Sequence, residues 1–185
     1  GGNRAAQDNG GGGNVLDFTH RTKTLYALVP PFVKGPGEVN LVAVYNLVIS
    51  GADAYSSDNT SPMTAGGNTV TINSVKFPFA SPANRFQIIS YPVSYVCAGV
   101  GTDASGNGTG TLTRYWNYSI QASQPTSFPS NTPSALLAKN VSGCNFTYDP
   151  QVITQRAGLV SAWLQVTQSN ESVSLYYEVH VSNVP

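Results

Sequence analysis

Residues 157–185 read AGLVSAWLQVTQSNESVSLYYEVHVSNVP, and their spacing decides the fold class. From Ser172 onward the side chains alternate. Val173, Leu175, Tyr177, Val179 and Val181 fall on one face, and Ser174, Tyr176, Glu178, His180 and Ser182 fall on the other. A period of two is the mark of a half-buried β-strand with a core face and a solvent face. Val160, Ala162, Leu164 and Val166 repeat the pattern upstream, set against Ser161, Gln165 and Thr167. The intervening Gln168-Ser169-Asn170-Glu171 is polar and turn-forming, so the two runs are expected to pair as an antiparallel hairpin. An isolated hairpin is marginal in water, and the upstream chain must therefore supply further strands.

It has the composition to do so. The 185 residues include 18 Gly and 12 Pro, and only 10% are charged, against the ~25% usual in soluble domains. Short runs rich in Val, Ile, Thr and Tyr recur between glycine- and proline-rich turns. Candidate strands lie at 15–20, 24–29, 39–49, 69–75, 85–89, 93–97, 111–120 and 141–148, before the closing pair. The apolar run 39–49 suits a strand buried on both faces. Residues 50–67 and 99–110 read as long loops, and 121–133 as a connection. Ser134 is placed to cap one short helical turn over 135–139. About ten strands with no long helix define a mainly β chain of antiparallel sheets, a single β-rich domain over 1–185 with a flexible glycine-rich start over 1–13.

Several function classes lack their residues. Nine basic and nine acidic side chains balance to zero net charge, and no basic stripe exists to neutralise phosphates, so no nucleic-acid partner is expected. Apart from the two histidines, His20 and His180, no base is available for triad chemistry, and no G-x-S-x-G occurs. Catalytic residues are accordingly none, and the chain reads as a non-enzyme. Glu178 with His180, or Asp17 with His20, supplies two ligands where zinc needs three or four. No metal site and no cofactor are expected. Asp103-Ala-Ser105-Gly-Asn107-Gly108 resembles the opening of a calcium loop, but Arg114 stands where the closing Glu belongs; it reads as a flexible loop tip. Asp53, Asp58 and Asn59 form a similar weak patch. Cys97 and Cys144 have no metal-ligand spacing. Either they bond, closing a loop worth roughly 4 kcal/mol, or they are two buried thiols. Trp163 and Tyr176 lie on the polar faces of their strands. They are either covered by another layer or exposed as anchors of a docking surface.

Beyond these readings, SYVCAG, LTRYWNYSI, LLAKNVSGCNFTYDP, QRAGLV and ESVSLYYEVHVSNVP, taken in order, resemble minor pilins of the mannose-sensitive haemagglutinin (MSHA) biogenesis type, the MshO group. More broadly they resemble the J-type minor pseudopilins of type II secretion. VYNLVISGADAYSSDN and FPFASPANRF fit the same pattern. The resemblance implies a type IV pilin-like globular domain in the periplasm with a Cys97–Cys144 bridge. It also implies a role in initiating or capping a pilus or pseudopilus, through contacts with other minor pilins and the major pilin. Members of the family carry an N-terminal spine helix that anchors them in the inner membrane and lies across the sheet. The present sequence holds no such helix, and the resemblance implies one in the native chain. A different expectation, from the exposed aromatics and Asn-rich loops alone, is an adhesin-like module that binds a glycan or surface.

Overall fold

The computed structural model describes residues 23–25, 40–47, 49–65, 70–72, 77–79, 86–149 and 157–182. The candidate strand over 15–20, His20, Asp17 and the glycine-rich start lie outside these residues. Ten strands are described, in two antiparallel five-stranded sheets. No described helix is long and apolar enough to cross a membrane. The chain divides into two compact units, Gly1–Pro92 with Ser119–Ser127 and Pro185, and Val93–Tyr118 with Phe128–Val184.

The first unit holds β1 (Lys23–Leu25), β2 (Leu41–Ala43), β3 (Thr60–Ala65), β4 (Val70–Ile72) and β5 (Gln87–Ile89), in the order β1-β4-β3-β2-β5. Its core gathers Val42, Val44, Met63, Ile72 and Phe77, with Tyr45, Phe86 and Ile88 packed against them. Two expectations fail here. The apolar run 39–49 is buried on both faces at Val42, Ala43 and Val44, as expected, but its described residues give only three of strand, because Asn40 and Tyr45 adopt positive φ (44° and 55°) and bend the chain at both ends. That conformation is unfavourable for a side chain such as Tyr, and it breaks the ladder. Thr60–Ala65, expected within a loop, is a central strand instead. It turns Ser61 and Met63 inward and leaves Pro62 exposed. Its polar side chains hide the alternation.

The second unit is a meander of β6 (Val93–Ala98), β7 (Gly110–Trp116), β8 (Ser134–Asp149), β9 (Ala157–Gln168) and β10 (Glu171–Ser182), each paired with the next. The closing hairpin forms as its sequence demands, in register from Glu171–Gln168 to Ser182–Ala157. Ser169 and Asn170 both have positive φ (51° and 65°), the conformation of the two-residue turn whose twist matches the strands. The expected helical turn over 135–139 does not form. Those residues are the first half of β8, with Ala135, Leu136 and Ala138 paired to Arg114, Thr113 and Leu112. A capped turn of Ala and Leu is a weak local preference, and pairing with β7 overrides it.

At the far end of β7, Arg114 lies 4.8 Å from the Trp116 ring centroid, and Asn117 (φ 56°) ends the strand. Phe128 then returns from the connection to stack on Tyr115, centroids 4.3 Å apart, with Tyr118 edge-on at 5.1 Å. These aromatic contacts fix Phe128 to the sheet.

Candidate interaction surface

The candidate site is built on β8, β9 and β10, and the register assigns its two faces. One face carries Val173, Leu175, Tyr177 and Val179 from β10, opposite Val166, Leu164, Ala162 and Val160 of β9. Cys144, Phe146 and Tyr148 of β8 continue it across Leu164, Ala162 and Val160. It is therefore an apolar face three strands wide. In β10 this face is not a core face. Leu175 is 61% exposed and Tyr177 68%, and Val173, Val179, Phe146 and Tyr148 are also exposed. The expected half-burial of β10 is thus corrected. Alternation states which side chains share a face, whereas burial requires another layer, and none covers β10 among the described residues. Exposed apolar area of this extent marks an interaction surface more often than an ordinary protein exterior.

The opposite face is polar and bears two aromatics. Trp163 and Tyr176 are direct cross-strand partners, and both are exposed. The two aromatics singled out in the sequence are therefore brought together. The Trp163 ring lies over the backbone of Gly143, where an added Cβ would meet its Cζ3 at 2.7 Å. A larger residue at that point would have to displace the Trp163 ring, which occupies the place of a side chain. Around the pair runs a chain of hydroxyls and amides. Ser142 Oγ lies 2.6 Å from Thr167 Oγ1, which lies 2.8 Å from Ser172 Oγ. Gln165 Nε2 donates to Ser174 Oγ at 3.4 Å. Glu178 accepts hydrogen bonds from Ser161 at 3.1 Å and from the Tyr176 hydroxyl. The carboxylate thereby orients Tyr176 beside Trp163.

Cys97 and Cys144 are disulfide-bonded, with Cα atoms 6.4 Å apart. The bridge joins β6 to β8, which β7 separates in the sheet. Strands two places apart in a flat sheet lie ~9.5 Å apart, so the sheet must curl for the bond to form. Ala138 stands across β7 from Cys97, and the bulges of β8 opposite Leu112 and at Val141/Gly143 lie between it and Cys144, where a bulge bends its strand and increases its twist.

The loop between β6 and β7 is tied down, which corrects its reading as a flexible tip. Asp103 Oδ1 accepts from the backbone amides of Ser105 and Asn107, each at 2.9 Å. Asn107 Oδ1 accepts from Ser169 N at 2.9 Å, Asn170 N donates to Gly106 O at 2.9 Å, and Gly108 N donates to Thr167 O at 2.8 Å. The loop thus seats on the β9–β10 turn. The Asn107 amide, followed by that of Ser105, holds the Asp103 carboxyl below its usual range. A depressed folded-state pKa means that this cap is intact at neutral pH and is lost as pH falls through the depressed value. Following the Asn107 and Ser105 amide shifts by NMR should give a midpoint below the ordinary Asp range; one at or above it would show the cap to be absent in solution.

Asp53 and Asp58 likewise serve their own loop. Asp58 accepts from Gly51 N at 2.7 Å and Asp53 N at 2.6 Å, while Asp53 accepts from Tyr55 N and Ser56 Oγ. Asn59 is buried and donates to Val44 O at 3.2 Å. Among the described residues no group of three or more His, Cys, Asp or Glu could hold a metal ion. Glu178 stands in the Tyr176 and Ser161 network described above.

No protein-family model, no curated protein and no solved structure matches this chain.

Proposed function

We propose that this chain is an assembly subunit of the minor pilin or minor pseudopilin kind, working through protein–protein contacts to initiate or cap a type IV-like pilus or secretion pseudopilus. The observation that carries the reading is the exposed apolar face of β8–β10, with Phe146, Tyr148, Leu175 and Tyr177 open to solvent. Exposed apolar surface is costly in water, and a protein element that covers it removes that cost. In this proposal that element is an apolar helix of the type minor pilins carry, and a helix of that kind also anchors the native chain in the inner membrane before assembly. The antiparallel β architecture, the Cys97–Cys144 bridge and the sequence resemblance support the same reading and an extracytoplasmic location. Other minor pilins and the major pilin are the partners.

The test is co-purification of the full-length native protein with minor pilins from its source cells. Leu175→Asp places a charge in the middle of the apolar face and is expected to reduce partner recovery at least about tenfold. The disulfide and the far-ultraviolet circular dichroism should remain unchanged, because Leu175 supports little of the unit's own core. Trp163→Ala is expected to lower recovery with a smaller effect on thermal unfolding. Undiminished recovery with Leu175→Asp would remove the reading.

A second reading is favoured by one observation, the Trp163 ring set against Gly143 beside Tyr176 and a hydroxyl-rich surround that includes the Glu178 carboxylate. Such a platform can stack against a sugar face, which would make the chain an adhesin-like glycan-binding module. Sugar binding by the isolated chain that Trp163→Ala abolishes, with no pilin partners recovered, would establish that reading instead.

A further inference from the structure

We propose that β10 is a self-pairing edge, through which two copies of this chain join their β6–β10 sheets into one continuous antiparallel sheet. This goes beyond the proposed function and does not rest on it. The argument starts from the backbone. The Thr167 carbonyl accepts from Gly108 N, on the side of β9 away from β10. The facing pair Thr167–Ser172 is therefore a non-hydrogen-bonded pair of the ladder. Ser172, and with it Ser174 and Tyr176 at the strand period of two, aim their backbone N–H and C=O groups at the open edge. Among the described residues no strand pairs there.

Long edges normally carry a device that blocks pairing, such as a proline, a lysine, a bulge or a very short strand. β10 has no proline, lysine or bulge, and its acidic residues are Glu171 at its start and Glu178. It runs for 12 residues, contains neither Lys nor Pro, and keeps an unbroken register with β9. The opposite edge of the sheet, β6, has only 6 residues.

What selects a second copy over an unrelated strand is self-complementarity. A two-fold axis perpendicular to the sheet keeps each face on its own side, so antiparallel self-pairing must match odd residues with odd and even with even. With Tyr177 on the axis, Tyr177 faces Tyr177 of the second copy, and Leu175 faces its Val179. The apolar face then runs unbroken across the junction. On the other face Tyr176 lies opposite Glu178 of the second copy, a hydroxyl against a carboxylate, and no like charges meet. Moving the axis to Glu178 would set two carboxylates face to face, which is destabilising. Aromatic pairs at a non-hydrogen-bonded position are among the favourable cross-strand contacts. Edge pairing buries less than the ~1,200 Å² of a stable interface, so association on the order of micromolar is expected.

The experiment is sedimentation of the 185-residue chain from about 1 µM to about 1 mM, a span that brackets micromolar affinity. Wild type should pass from monomer to dimer. Ser174→Pro deletes an N–H that points to the open edge while leaving the β9 ladder whole; it should weaken the dimer at least about tenfold, with an unchanged unfolding temperature. Tyr177→Cys, whose Cα atoms would lie ~4.5 Å apart across the axis, should cross-link the dimer under mild oxidation, whereas Leu175→Cys should not. A chain that stays monomeric throughout, a dimer indifferent to Ser174→Pro, or equal cross-linking at 175 and 177 would overturn the proposal. Should Ser174→Pro fail to fold, the two cysteine variants decide alone.

Discussion

Removing the Cys97–Cys144 bridge, as Cys97→Ala/Cys144→Ala, is expected to destabilise the second unit by about 4 kcal/mol. The two cysteines are 47 residues apart in sequence, and on the chain-entropy account a loop of that size confines the unfolded chain by this amount. The loss weighs heavily because the unit has so little core. Leu112 and Val141 are its buried hydrophobic residues among those described, while the main buried cluster belongs to the other unit. A small body with a thin core leans on cross-links. The bond also holds β6 against β8 over the curl of the sheet, so its loss frees the strand that ends the meander. For a unit of this size, 4 kcal/mol corresponds to a fall in unfolding temperature of upwards of about 15 °C. Calorimetry of the wild-type and double-alanine chains reads it directly. A fall of under about 3 °C, or non-reducing peptide mapping that recovers both thiols free, would contradict the expectation.

The same residues show what could be read in advance. The closing hairpin was legible because two signals agreed, a strict period of two on both sides and a turn of residues that tolerate positive φ. The shared face of Val173, Leu175 and Tyr177 followed from the period alone. Its exposure did not, because coverage depends on a second layer that alternation does not encode. The pairing of Trp163 with Tyr176 follows from the hairpin register, yet the Trp ring rests against Gly143, on a different strand and one residue past a bulge. Bulges carry no periodic signal, and neither does the long-range pairing that turned residues 135–139 into strand. β3 was hidden for a related cause: Ser61 and Met63 point inward, but a Thr-Ser-Pro-Met string resembles a loop. As for the disulfide, the cysteines could be paired on paper, but only the curled sheet brings strands two places apart within bonding distance.

The glycine-rich stretch between β6 and β7 is the sharpest case, and it yields the second large expected effect. Its glycines read as freedom, but they serve close approach. A Cβ on Gly108 would fall inside the van der Waals envelope of the Asn140 carbonyl carbon and oxygen, with Asn140 Cα at 3.0 Å. The obstacle is backbone, and Asn140 has no slack to offer. It sits at positive φ (57°) beside the β8 bulges, and the next residue, Val141, is fully buried. Gly108→Ala must therefore move the loop off β8, which also lengthens the Gly108 N to Thr167 O bond of 2.8 Å and loosens the loop from the hairpin turn. Overpacking against fixed backbone combined with a lost buried hydrogen bond places the cost at about 3 kcal/mol or more. Gly101→Ala is the matched control: in the same loop, its added Cβ would meet only the Thr109 hydroxyl, at 3.4 Å, and a change within about 0.5 kcal/mol is expected. Urea denaturation of both variants, followed by tryptophan fluorescence, compares them on one scale. If Gly108→Ala proves as stable as Gly101→Ala, the loop does not dock on β8 in solution, and the seating of the hairpin turn on it falls with that contact.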